Sequence, residues 1–151
     1  MEGIINHHPH EKGQSLVEFA ISLVMLLVLL AGAVDGGRAL FTYLAMRDAA
    51  QEGATFASIN PASTSAIEQR VRNSSNLLSS LGGSLIVTVT PTVTGKLCAG
   101  RAGAVDFGIE VRLDYPNFPL TMPFIGMFVG SNNTVPISAE ANDMIIIPKC
   151  P

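Results

Sequence analysis

The chain has 151 residues, of which 48% are hydrophobic and 14% are charged, whereas a soluble domain carries roughly 25% charged residues. This length accommodates one modest domain plus a membrane segment. The formal net charge is −3 and the sequence has no cluster of lysine or arginine, which excludes the electrostatic footprint of nucleic-acid binding.

The first 13 residues form a short polar leader that ends at Gly13 and contains all three histidines of the chain, His7, His8 and His10. A proline between these histidines breaks the helical spacing that a built metal site would use. We therefore interpret them as solvated side chains, and the sequence predicts no metal site and no cofactor.

A membrane-length apolar segment follows the leader. Residues 19–34 carry no charge, and the wider segment 16–34 spans roughly 28 Å as a helix, close to the hydrocarbon thickness of a bilayer. Glu18 stands five residues after Gly13, within this segment, where a carboxylate is costly and is a functional candidate by default. The alternative interpretation places Glu18 in the headgroup zone, close enough to the helix end to reach water.

The helical pattern continues beyond Asp35. One narrow stripe of mostly small side chains recurs at spacings of three and four: Ala39, Tyr43, Met46, Ala50, Gly53 and Ala57. Polar residues, among them Thr42 and Ser58, occupy the remaining faces. Because proline disfavours a helical residue before it, Asn60-Pro61 ends the pattern. The sequence predicts one helix of about 40 residues, apolar in front and amphipathic behind.

The remainder predicts a second helix and a small sheet. A capping box at Ser65 and Glu68 begins the helix, an apolar repeat continues it, and Gly82-Gly83 ends it. Alternation with period two then predicts three antiparallel strands, at 84–94, 106–115 and 135–147. In the third strand, Asp143 interrupts the alternation, which predicts a bulge or two short strands there.

The connection 116–133 is unusually apolar for a loop. It is interpreted either as a lid over the core or as a surface that touches lipid or a partner subunit. These patterns predict an α+β fold. We expect a leader at 1–13, a transmembrane and spine helix at 14–58 and an extracytoplasmic α+β domain at 59–151.

Residues 13 to about 58 resemble the N-terminal domain of the TadE family, which with TadF comprises pilin-like proteins of the tight-adherence (Flp-type) pilus machinery. The matching features are Gly13, Glu18-Phe19, the apolar run, Asp35-Gly36-Gly37-Arg38, Tyr43 and the block from Arg47 to Ala54. The resemblance implies a type IV pilin-like fold and cleavage between Gly13 and Gln14 by a prepilin peptidase. It also implies insertion in the bacterial inner membrane with a single pass, and a minor-pilin or assembly role.

The implied partners are membrane lipid, the prepilin peptidase, other pilin-like subunits and the pilus assembly platform. The chemistry of Glu18 favours the same role, with Phe19 beside it. Cleavage creates an α-amine on Gln14, with an ordinary pKa of about 7.7–8. Since an uncompensated carboxylate is expensive in an apolar filament core, a neighbouring subunit's Gln14 amine is its natural partner.

The sequence favours two other functional classes less. An ordinary exported protein is the alternative, because Ala31-Gly32-Ala33 after an apolar stretch also fits a signal-peptidase site. The mature N-terminus discriminates between them: Gln14, Val34 or uncut Met1. An enzyme is disfavoured, because removal of the leader leaves no histidine for a histidine-based triad or zinc hydrolase.

A disulfide between Cys98 and Cys150 is also predicted. In a three-stranded antiparallel meander, the turn after the first strand and the end of the third strand lie at the same end of the sheet. Cys98 falls in that turn and Cys150 follows that strand. Two cysteines in an export-side domain are best interpreted as a bridge, with two unpaired cysteines as the alternative.

Overall fold

The computed structural model describes residues 13–91, 108–122 and 133–145. The fold is α+β, as predicted. Its elements in chain order are α1 (Gln14–Ile59), α2 (Thr64–Asn73), α3 (Asn76–Leu81), a 3-10 turn (Gly82–Ser84), β1 (Ile86–Pro91), β2 (Gly108–Pro119) and β3 (Thr134–Met144).

Helix α1 is a single element of 46 residues that begins after Gly13 and ends before Asn60, as the Asn60-Pro61 pair predicted. Its front part, residues 16–30, is exposed along its whole length. Its back part packs against β3, β2 and α2. The described part of the domain therefore covers only the second half of the helix.

The buried face of α1 is broader than the predicted stripe. Met46, Ala50, Gly53 and Ala57 are buried as expected, and Ala49 and Ala54 join them. Tyr43 is exposed, whereas Thr42 and Ser58, which the sequence placed on the polar faces, are buried. Both hydroxyls donate within the helix, Thr42 Oγ1 to the Arg38 carbonyl at 2.9 Å and Ser58 Oγ to the Thr55 carbonyl at 2.8 Å. These bonds satisfy the hydroxyls without water.

The predicted second helix is two helices, so that prediction was wrong in detail. The chain breaks between α2 and α3, where the Ser75 hydroxyl accepts a 3.3 Å hydrogen bond from the Leu78 N–H and caps α3. The predicted capping box at Ser65 does not form, because α2 already begins at Thr64. The predicted end is confirmed: Gly82 follows α3 with φ at +52°, a region that favours glycine.

The sheet is a meander of order β1-β2-β3 with both pairs antiparallel, as predicted. β2 is longer than predicted and extends to Pro119, with a register shift between Tyr115 and Phe118. The bulge predicted at Asp143 was wrong, since Asp143 pairs in regular register with Ile109. The irregularity lies instead on β2, near the end that approaches the front of α1.

The core lies between α1, α2 and the sheet. The lack of a side chain at Gly53 lets α1 approach α2 and β2 closely, because a Cβ there would collide with Val71 of α2 and lie 3.3 Å from Val111 Cγ1 of β2. Val111 therefore lies beside Gly53, whereas the chain just after β2 reaches Asp35. β2 thus runs along α1 in the opposite direction, toward the exposed apolar half of the helix.

Candidate functional site at the junction of helix and sheet

The site is built around Asp35, the first charged residue after the uncharged run 19–34. Its side chain is buried, with the residue only 3% exposed. The carboxylate accepts hydrogen bonds from the Thr121 N–H at 2.8 Å, from the Met122 N–H at 2.7 Å and from the Thr121 hydroxyl. Three donors from one two-residue segment therefore converge on one carboxylate of α1.

The local structure of the hairpin explains why these donors are available. The β2–β3 ladder ends with the pair Pro119 and Thr134, and the Leu120 N–H then donates to the Asn133 carbonyl at 2.9 Å. Thr121 and Met122 lie one step beyond this closing bond, so their N–H groups have no strand partner. Because a buried N–H without a partner is costly, the Asp35 carboxylate completes the pairing of the chain there.

Arg38 adds a positive charge one turn further along α1. Its Nη1 lies 3.6 Å from Asp35 Oδ1, and its guanidinium carbon lies 5.6 Å from the ring centroid of Phe118. The arginine thus contacts both the helix carboxylate and the end of β2. The contact with the ring is a cation–π interaction, although about half of the Arg38 side chain is exposed and screening weakens the ion pair.

The pKa of Asp35 lies below its ordinary value of 3.8. The hydrogen bond from the Thr121 side chain is the largest cause. Burial acts in the opposite direction, and the backbone N–H groups of Met122 and Thr121 and the charge of Arg38 lower the pKa further. Asp35 is therefore ionised at neutral pH, in the form that accepts all three hydrogen bonds.

An apolar contact lies beside this polar cluster, on the side of the apolar run. A Cβ at Gly32 would lie 2.5 Å from Met122 Cε, so the methionine methyl rests directly on the helix backbone. A cleft of ≈ 330 Å³ adjoins this contact and is lined by Gly32, Asp35, Gly36, Ala39, Phe118, Leu120, Met122, Val135 and Ile137. Among the described residues that line the cleft, all except Asp35 are apolar or glycine.

The arrangement is that of a structural junction. Asp35 has its acceptor capacity taken up by backbone and hydroxyl donors of the same chain. In the described ranges, no group of three or more histidine, cysteine, aspartate or glutamate residues is placed to hold a metal ion. The three hydrogen bonds to Asp35 join α1 to the β2–β3 hairpin.

The predicted processing and assembly residues lie elsewhere, at the start of α1. Gly13 precedes the first helical residue, Gln14, and its carbonyl accepts a 3.3 Å hydrogen bond from the Val17 N–H. Glu18 and Phe19 are exposed on the next turn, about 25 Å along the helix from Asp35. Cys98 and Cys150 lie outside the described residues, as does the leader before Gly13, and the disulfide stays a prediction.

Asp35 is the functional residue that sequence reasoning missed, since it entered only as one matching feature of the family resemblance. Its partners, Thr121 and Met122, lie 86 and 87 positions away. One signal was present: a single carboxylate follows a long uncharged run while the helical pattern continues past it. A charge in that place needs partners, and the sequence does not say where they are.

These features define an α+β protein with a long N-terminal helix, an architecture consistent with pilin-like proteins. Residues 13–55 match the family model described as TadE-like protein, which confirms the predicted resemblance over that part of the chain. That family is a structural one associated with pili, and the match indicates involvement with tight-adherence pili and pilus-related protein partners. Neither a curated protein nor a solved structure matches the chain. α1 is long and apolar enough to cross a membrane.

Proposed function

We propose that this protein is a pilin-like component of a tight-adherence pilus, either a minor pilin or part of the assembly machinery. Its N-terminal helix holds it in the bacterial inner membrane or in the filament, with the α+β domain on the extracytoplasmic side. The observation that carries the proposal is the front of α1, where residues 16–30 are exposed and nearly all apolar. Such a surface requires lipid or neighbouring helices to cover it.

A second exposed surface supports assembly beyond the membrane. Val34, Leu40, Phe41 and Leu44 are between 44% and 67% exposed and lie on the face of α1 opposite the one that packs on the domain. They recur at helical spacing and continue the apolar surface of the front half. We therefore propose that neighbouring pilin-like helices pack along this side.

Processing between Gly13 and Gln14 belongs to the same proposal. The bond lies where α1 begins, so cleavage would leave the new α-amine of Gln14 at the tip of the helix. Glu18 lies one turn away and is exposed, so a neighbouring subunit would be able to reach it. An ion pair between this amine and the neighbour's Glu18 would set the register between subunits more than it would add net stability.

The alternative, an exported protein cleaved by signal peptidase near Ala33, fits the packing less well. Such cleavage would divide α1 two residues before Asp35 and remove Gly32, on which Met122 packs. The junction would lose its apolar half. The continuity of helix and junction therefore favours the intact helix.

The first experiment determines the mature N-terminus by intact-mass measurement of protein extracted from the cell membrane. We expect a start at Gln14 in the unaltered protein and a retained leader in Gly13→Leu, because a prepilin peptidase must fit the residue before the bond. A start at Val34 would establish the signal-peptide alternative instead.

The second experiment measures pilus assembly on cells that carry Glu18→Gln or Glu18→Ala. Both variants should insert in the membrane and fold normally, because Glu18 is far from the core, but assembly should fall. Asp48→Asn is the matched control, since it removes an exposed carboxylate from the same helix. Normal assembly by both Glu18 variants contradicts the proposed role.

A further inference from the structure

We infer that the neck of the β2–β3 hairpin, at Leu120 and Met122, is a second membrane contact, inserted in the bilayer leaflet on the side of the folded domain. The partner is the lipid itself, at the boundary between acyl chains and headgroups. This inference rests on the proposed membrane anchoring by α1 and adds to it a contact contributed by the domain.

The depth of the neck follows from the length of the helix. A hydrocarbon core of about 30 Å needs roughly 20 helical residues. If the core begins at Leu16, it ends near Asp35. Gly32 lies three residues earlier, about 4.5 Å toward the bilayer centre. Since Met122 Cε rests on Gly32, the Met122 side chain lies at the same depth, just inside the hydrocarbon.

The direction of the chain agrees with this depth. β2 passes Gly53 of α1 at Val111, and the chain just after β2 reaches Asp35 at Thr121. The next residue, Met122, contacts the helix one turn closer to its N-terminus, at Gly32. The strand therefore descends along α1 toward the bilayer, and the neck is the part of the described domain that reaches furthest.

The polar chemistry of the neck suits a lipid environment. In hydrocarbon, every backbone N–H needs an internal partner, because no water is available. The Leu120 N–H donates to the Asn133 carbonyl, and the Thr121 and Met122 N–H groups donate to the Asp35 carboxylate. All three N–H groups at the tip of the described hairpin are therefore satisfied before the chain meets lipid.

The apolar chemistry points the same way. The whole connection 116–133 carries no charged residue. Within the part of the chain that the structure describes, Asp35 is the one polar side chain lining the cleft beside Met122, and its oxygens are already hydrogen-bonded. This surface continues the exposed apolar surface of 16–30 without a charged boundary between them. Lipid that covers the helix front therefore continues onto the neck.

The test uses the absence of tryptophan from the chain, so that one introduced tryptophan is a unique fluorescent reporter. The full-length protein is reconstituted in phosphatidylcholine–phosphatidylglycerol vesicles whose acyl chains are brominated either near the headgroup or near the chain end. Bromine quenches only tryptophans that it contacts. Leu120→Trp reports on the neck, and Pro119→Trp, an exposed neighbour in the same hairpin, replaces it if the first variant misfolds.

Two controls bracket the result. Leu27→Trp lies in the exposed apolar part of α1 and should be quenched most by bromine near the chain end. The second control is Met144→Trp. Met144 is 65% exposed and pairs with Gly108 at the opposite end of the sheet, about 40 Å along the strand from Leu120. This variant should show no loss of fluorescence with either lipid.

We expect the neck tryptophan to lose fluorescence with bromine near the headgroup, to lose less with bromine near the chain end, and to emit at shorter wavelength than Met144→Trp. If Leu27→Trp is quenched while both neck variants behave like Met144→Trp, the neck is covered by protein or water and the inference is wrong. If Leu27→Trp itself is not quenched, the membrane anchoring proposed for α1 is wrong, and the inference falls with it.

Discussion

The Asp35 carboxylate accepts a 2.8 Å hydrogen bond from the Thr121 N–H, across 86 positions of the chain. This bond joins the end of the apolar run of α1 to the end of β2. A second hydrogen bond, from the Met122 N–H, and the contact between Met122 and Gly32 complete a junction that is partly polar and partly apolar. The consequences of removing each part are separable by experiment.

Asp35→Asn should lower the unfolding temperature of the detergent-solubilised protein far more than Asp48→Asn does. The amide keeps the shape of the carboxylate but removes its charge, and it turns an N–H₂ group toward at least one of the donors. Asp35→Ala should be worse, because the Thr121 and Met122 N–H groups lose their acceptor. Thermal unfolding followed by circular dichroism measures the difference. Equal unfolding temperatures for Asp35→Asn and Asp48→Asn would show that the junction contributes nothing.

The same carboxylate predicts a pH dependence. The pKa of Asp35 is lower in the folded protein than its ordinary value of 3.8, so its ionised form stabilises the fold fully above that value. The contribution is lost as the pH falls from about 3.8 toward the lower folded pKa. The difference in unfolding temperature between the unaltered protein and Asp35→Asn should therefore be constant near neutrality and shrink in acid. If the difference in unfolding temperature grew in acid, the pKa of Asp35 would be raised and not lowered by folding, and the prediction would be wrong.

Two glycines of α1 give a matched pair of packing variants. Gly53→Ala should destabilise the domain by about 1–3 kcal/mol, the usual cost of overpacking, because the new methyl group meets Val71 and Val111. Gly37→Ala meets no atom within 4 Å and should stabilise the helix by up to about 1 kcal/mol. Urea unfolding of both variants in the same detergent measures the two shifts. A loss of stability in both would show that the helix itself, not the core, resists the added methyl group.

Phe41 and Met46 separate assembly from folding. Phe41 is 67% exposed and Met46 is fully buried, although they lie little more than one turn apart. Phe41→Gln should leave the unfolding temperature nearly unchanged and reduce pilus assembly. Met46→Ala should cost about 2–5 kcal/mol of stability, as for other buried methionines. Measuring pilus assembly and thermal unfolding for both variants separates the two effects. Normal assembly by Phe41→Gln would show that the exposed face of α1 is not part of the proposed interface.

The sequence predicted the elements whose pattern is local. Period two located β2 because Ile109, Val111 and Leu113 alternate with polar residues, and each is buried in the structure. The break at Ser75 was missed because the apolar spacing from Ile67 to Leu78 passes through it without a change of phase.

The junction was missed for a different reason. The burial of Asp35 depends on hydrogen bonds from Thr121 and Met122. No local pattern connects residues that meet only after the sheet has formed. Thr42 was misplaced because its polarity suggested exposure, whereas its hydroxyl is satisfied inside the helix. Burial of a polar side chain depends on its partners, which the sequence shows only when they are close along the chain.

β2 and the chain just after it contact α1 at two positions, Gly53 and Asp35. The domain therefore has one fixed orientation about the axis of the helix. Rotating the helix in the membrane must turn the sheet with it. A neighbouring subunit that binds the first turns of α1 therefore also determines which side of the domain faces outward, although those turns and the domain are separated by the thickness of a bilayer.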